Sequence, residues 1–256
     1  MRRKVLIIKG YSKTPTELIN DRKIIQLYID FFNSNAGGAF DFDTDIIILE
    51  EPNVKDINGL TILNELDYLI IVLLGHGANK DGKQVFQLQE DLMINPGQIH
   101  YSCSKQLHII ESCRNIIDFE LDIKRINRLI PKYRYGGVVK FPLTREESIE
   151  KFNDAIQKSP NGTLYLFACG VDQCAYGYYF LQVLIDAAIY AHEYFRNSTY
   201  TASEIFENAK SQVSKLTKGE QTPMKMGEVD FPFVITIMLD LKAKGMLLKR
   251  VEDKQF

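Results

Sequence analysis

The sequence predicts an α/β sandwich built on a mostly parallel sheet of six strands. Two observations carry this. Short, continuous apolar runs such as Tyr68-Leu-Ile-Ile-Val-Leu-Leu74 read as strands covered on both faces, as parallel strands are. Segments with apolar residues at helical spacing alternate with them. No internal repeat, low-complexity segment or second domain interrupts the pattern, so residues 1–256 read as one domain.

The bulk properties suit this class. Apolar content of 45% and charged content of 25% are ordinary for a globular chain, and 256 residues suffice for a sizeable core. A net charge of −2 gives no electrostatic reason to expect nucleic acid or an acidic membrane as partner. Four cysteines at irregular spacings (Cys103, Cys113, Cys169, Cys174) suggest a reducing, cytoplasmic setting. Met1-Arg-Arg-Lys4 resembles a signal n-region. Val5 to Ile8 is too short for its apolar core, so an unprocessed N-terminus is expected.

Along the chain, Lys4 to Ile8 is the first strand, closed by Gly10 and a break at Thr14-Pro15. Thr16 is placed to cap a helix whose Leu18, Ile25, Tyr28, Ile29 and Phe32 share a face. Asp45–Leu49 is the second strand, Asn58–Leu66 a short helix and Tyr68–Leu74 the third strand. Lys80-Asp-Gly-Lys83 and the alternation from Val85 to Gln89 predict an exposed hairpin. Leu107–Ile110 is the fourth strand. Residues 116–145 form a long exposed basic connection, with seven Lys or Arg and no acid between Lys124 and Arg145. A helix over Glu146–Lys158, a strand over Thr163–Ala168, and helices over Tyr178–Phe195 and Ser203–Leu216 (capped by Thr201) follow. Phe233–Met238 is the sixth strand, and residues 239–256 a basic tail of no assigned role.

Two strand ends carry residues fit for chemistry. His76 follows the third strand between Gly75 and Gly77, which let the backbone turn sharply and approach a ligand. A strand-end histidine satisfied by a backbone carbonyl is an equal reading of that residue alone. Cys113 follows the fourth strand, and a buried inert thiol is the commoner fate of a lone cysteine. Carboxyl ends of neighbouring parallel strands share an edge, where a thiol and an imidazole together make an activated nucleophile. Glu111 and Arg114 beside Cys113 suggest polar, open surroundings.

These residues resemble motifs of caspase-like cysteine peptidases, the metacaspase and paracaspase branch included. Gly75-His76-Gly77 and Glu111-Ser-Cys113-Arg114 are similar to the family's histidine and cysteine motifs. Asn20-Asp21, Ala168-Cys-Gly-Val-Asp172-Gln173, and Gln221-Thr-Pro223 followed by Asp230-Phe-Pro232 resemble further family stretches in the same order. The resemblance spans about residues 4 to 235. Glu111 stands where metacaspases have Asp and caspases Gln, Arg22 replaces the alanine after Asn20-Asp21, and Asp172 falls one place late.

The resemblance implies a three-layer sandwich with helices on both faces, divided by the 116–145 connection into large and small halves. It also implies a cysteine endopeptidase needing no cofactor or metal, with His76 and Cys113 as the catalytic dyad. Backbone N–H groups of Gly77 and Cys113 would hold the oxyanion. Glu111, two residues before Cys113 on an extended strand, and Asp172 are the expected substrate-binding carboxylates. They imply a protein or peptide substrate with Arg or Lys before the cleaved bond. An ion pair between Glu111 and Arg114 is the competing reading. The basic connection is an expected self-cleavage site, and no activator is legible in the residues. Two other readings stand beside this one: a silent caspase-like interaction module, and a Cys/His metal site drawn from Cys103, His108, Cys113, Cys169 and Cys174.

Overall fold

A computed structural model describes residues 1–80, 83–112, 143–176, 178–194 and 199–236. Its strands are β1 (Arg3–Lys9), β2 (Ile46–Glu50), β3 (Tyr68–Leu74), β4 (Gly77–Lys80), β5 (Lys83–Gln89), β6 (Leu92–Ile94), β7 (Lys105–Glu111), β8 (Gly162–Phe167), β9 (Thr199–Thr201), β10 (Met224–Met226) and β11 (Pro232–Ile235). The α-helices are α1 (Pro15–Asn33), α2 (Phe42–Asp45), α3 (Val54–Asn58), α4 (Arg145–Lys158), α5 (Tyr179–Tyr194) and α6 (Ala202–Leu216).

The main sheet has the order β10-β8-β7-β3-β1-β2. Its strands are parallel except β10, which runs antiparallel to β8. β3 lies near the middle and all seven of its residues are buried, which accounts for its unbroken apolar run. Successive side chains go to opposite faces. Val5, Ile7, Ile70, Val72, Leu107 and Ile109 pack beneath α1, α4, α5 and α6, while Leu6, Ile8, Leu69, Ile71, Leu73 and Ile110 face the other way. That second face is covered by α3, a 3-10 turn over Thr61–Glu65 and the β4–β5–β6 ribbon, through Ile57, Leu63 and Phe86. The three-layer α/β arrangement with helices on both faces is therefore present.

Two expectations need correction. Thr14 caps α1 by accepting the Glu17 N–H at 3.2 Å, with Pro15 in the first turn. The Thr14-Pro15 pair starts the helix instead of breaking the chain, because proline's fixed φ suits that position. The sixth strand of the main sheet is β10, not the Phe233–Met238 run. The run's first part, β11, pairs with β9 in a separate two-stranded sheet, and residues 237–238 lie outside the described set. All three β10 residues are exposed, so this edge strand carries no hydrophobic pattern to read. Phe231 and Phe233 are instead drawn into an aromatic cluster with Phe31, Phe32 and Tyr68.

The short helix expected over Asn58–Leu66 divides into α3 and the 3-10 turn. The exposed hairpin is the β4–β5–β6 ribbon, whose Phe86 and Leu88 are buried. The 116–145 connection falls outside the described residues except for 143–145, and the 239–256 tail falls wholly outside.

Candidate active site

The carboxyl edge of the sheet is held together by backbone hydrogen bonds between strand ends. Gly10 N–H donates to Leu74 O (2.8 Å), and Gly75 N–H to Glu111 O (3.2 Å). Gly75 has φ +152°, a conformation side-chain-bearing residues rarely adopt, and it swings the chain out of β3 toward His76. Tyr11 N–H then donates to Gln87 O (3.1 Å) and Gln87 N–H to His76 O (2.9 Å). A Cβ on Gly10 would stand 2.1 Å from Gln87 O, so glycine is what allows β1 and the ribbon to meet here.

His76 Nε2 lies 3.3 Å from Glu17 Oε2, and both side chains are 13% exposed. Burial lowers the His76 pKa from its ordinary value, the Glu17 carboxylate opposes that fall, and Lys13 and Lys9 add to it. Gly77 follows as the first residue of β4. Because Gln87 and His76 share a ladder bond, Gly77 and Phe86 form a non-hydrogen-bonded pair, and the Gly77 N–H turns away from β5.

Cys113 lies outside the described residues, as does Arg114. The strand leading to Cys113 is described up to Ser112. Leu74 and Glu111 are register partners at the ends of neighbouring parallel strands. Ser112 Oγ accepts a hydrogen bond from Gln84 Nε2 of the ribbon (3.0 Å).

Glu111, one of the two residues taken to mark polar, open surroundings beside Cys113, is itself buried. It is 2% exposed, because β7 runs between β3 and β8 and α5 packs over its end. Glu111 Oε2 accepts the Leu181 N–H in the first turn of α5 (3.1 Å). Oε1 has no hydrogen-bond partner among the described residues. Burial raises the Glu111 pKa to about 8, with the Leu181 bond pulling weakly the other way. The carboxyl is therefore mostly protonated at neutral pH.

Asp172 is exposed, in the loop after β8, at a left-handed φ of +60°. Its Oδ1 accepts from Asn79 Nδ2 of β4 (3.0 Å), linking this loop to the strand that begins with Gly77. Gln173 Oε1 accepts both Gly170 N–H (3.0 Å) and Thr222 N–H (2.8 Å). Fully buried Gln221 donates to Ala168 O (2.9 Å) and accepts Tyr176 N–H (3.1 Å). The Cys169–Gln173 and Gln221–Pro223 stretches thus brace each other.

Sequence reasoning missed several residues that shape this edge. Lys9 is fully buried and its Nζ lies 2.6 Å from Glu51 Oε1. Asp21 is buried, and its Oδ2 accepts the Ser12 hydroxyl (2.6 Å). Burial raises the Asp21 pKa to about 6, against the lowering effects of Ser12 and Lys9. Glu17 carried no motif at all. The one available signal was Asn20-Asp21, an acid on the face of α1 that also carries Ile25 and Tyr28.

Of the residues in the metal-site reading, the described ones separate. Cys103 packs on the ribbon side of the sheet, whereas Cys169 and Cys174 pack on the α5 side. Buried His108 packs against Tyr165 with tilted rings, their centroids 4.5 Å apart. Among the described residues no group of three or more His, Cys, Asp or Glu is placed to hold a metal ion. No described helix is long and apolar enough to cross a membrane.

Caspases are among the solved structures that share this architecture. The chain is similar to caspase-1 from Spodoptera frugiperda, with 10% identity over 93% of this chain and 90% of that one, at a TM-score of 0.50. It is similar to the Drosophila initiator caspase Dronc, with 12% identity over 87% and 78%, also at 0.50. No protein-family model and no curated protein sequence matches. The fold is caspase-like.

Proposed function

We propose that the chain is a cysteine endopeptidase in which His76 and Cys113 form a dyad and cleavage follows Arg or Lys. The register pairing of Leu74 with Glu111 carries this reading. The strands that precede His76 and Cys113 by two residues thus end side by side at one sheet edge, where α/β sites form. The caspase-like fold is consistent with a protein substrate.

In this mechanism Cys113 passes its proton to His76 and attacks the scissile carbonyl. The Gly77 and Cys113 N–H groups take the oxyanion, and the outward turn of Gly77 from β5 supports its part. His76 then protonates the leaving amine, and water releases the acyl group. Asp172 is the exposed carboxylate that meets a cationic side chain. Glu111, protonated when alone, becomes a second counter-ion when a cation reaches it. The 116–145 segment is the proposed self-cleavage site.

Purified wild-type chain, Cys113→Ala and His76→Ala should be compared on fluorogenic peptides ending in Arg, Lys or Asp. Both variants should lose about a thousandfold or more in kcat. Wild-type protein should also yield fragments cut within 116–145 that Cys113→Ala does not. A Cys113→Ala protein as active as wild type ends the peptidase reading, and a preference for Asp ends the basic one.

A further inference from the structure

We infer that Glu17 is a positioning residue for the proposed dyad, its carboxylate orienting His76 and fixing which ring nitrogen exchanges the proton. This deepens the peptidase reading and rests on it.

Thr14 caps α1 and thereby places Glu17 in the first turn, facing the carboxyl edge. Glu17 Oε2 accepts the Lys13 N–H at 2.7 Å, which holds the carboxylate still, and the same oxygen lies 3.3 Å from His76 Nε2. A carboxylate oxygen only accepts, so the imidazole carries its proton on Nε2. Nδ1 is then the nitrogen that takes the Cys113 proton and later gives it to the leaving amine, while the Nε2 proton never leaves the ring. A side-chain carboxylate so placed does for the imidazole what the acid of a hydrolase triad does: it sets the tautomer and stabilises the imidazolium.

The charges facing His76 make the contact necessary. Lys13, just before the α1 cap, and Lys9 of β1 both disfavour the imidazolium, as does burial, and Glu17 opposes them. Lys9 is itself answered by Glu51, with Asp21 nearby. Removing the Glu17 charge leaves the lysines and the burial unopposed, so the His76 pKa falls further.

Glu17→Gln separates the charge from the contact and the fold, because its amide oxygen can still accept both the Lys13 N–H and the His76 Nε2–H. The expected result is a fall in kcat of about 10- to 100-fold with KM little changed, and a shift of the His76 limb of the kcat/KM profile to lower pH. The urea midpoint should stay near that of wild type. Glu17→Asp keeps the charge one methylene farther away, and should recover that pH limb and part of kcat. In a Cys113→Ala background, NMR titration of the His76 ring should show the same downward shift on Glu17→Gln. Wild-type kcat and an unmoved pH limb in Glu17→Gln overturn the proposal. If wild-type protein cleaves nothing, the peptidase reading fails on its own, and the NMR titration still decides whether Glu17 governs His76.

Discussion

Glu111 Oε2 receives the Leu181 N–H at 3.1 Å, and by this bond the end of the central strand β7 is tied to the amino end of α5. Burial keeps the carboxyl protonated up to about pH 8. An acid whose folded pKa lies above its unfolded value contributes its full stability below the unfolded pKa, here 4.5, and loses it as pH rises through 8. The full loss amounts to ~5 kcal/mol. Glu111→Gln keeps an acceptor for Leu181 without the titration. The difference in unfolding free energy between wild type and Glu111→Gln should favour the variant increasingly from pH 5 to pH 8. Parallel urea curves at both pH values check this.

Lys9 and Glu51 predict an asymmetry. Lys9 is completely buried, whereas the Glu51 side chain is 40% exposed. Glu51→Gln leaves a buried ammonium without its carboxylate and should cost about 3 kcal/mol. Lys9→Met leaves a carboxylate that water can reach, and should cost less. Denaturant unfolding of the two variants side by side measures the order.

Asp172 should govern a basic preference if one is present. Asp172→Asn can still accept from Asn79 but loses the charge. kcat/KM for an Arg-ended peptide should fall about 10- to 100-fold. A citrulline-ended peptide, with the same shape and no charge, should lose little.

Gly10→Ala tests whether the strand ends act together. The new Cβ would press on Gln87 O, the acceptor of Tyr11 N–H, in a residue that also bonds to His76 O. A cost of about 1–3 kcal/mol is expected. Activity should fall beyond the folded fraction, because the backbone of His76 moves with the ribbon. Comparing kcat with the folded fraction by circular dichroism separates the two effects.

The sequence shows much of this architecture directly. Tyr68–Leu74 is apolar at every position because its strand is covered on both faces, and its ends can be read from composition alone. Thr144 and Thr201 cap α4 and α6 and receive the Glu147 and Glu204 N–H groups, a pattern legible over four residues. β10 is not legible, since an exposed edge strand of three residues owes its conformation to β8 beside it.

For the candidate site the division falls differently. The sequence by itself determined that a histidine and a cysteine each follow a buried strand, because burial pattern and glycine placement are local properties of the chain. Only the tertiary structure decided that Glu17, 59 residues before His76, reaches its ring, and that Glu111 faces the amino end of α5 instead of open solvent. Such contacts depend on strand order and on which face each helix covers, and both follow from packing the whole core at once.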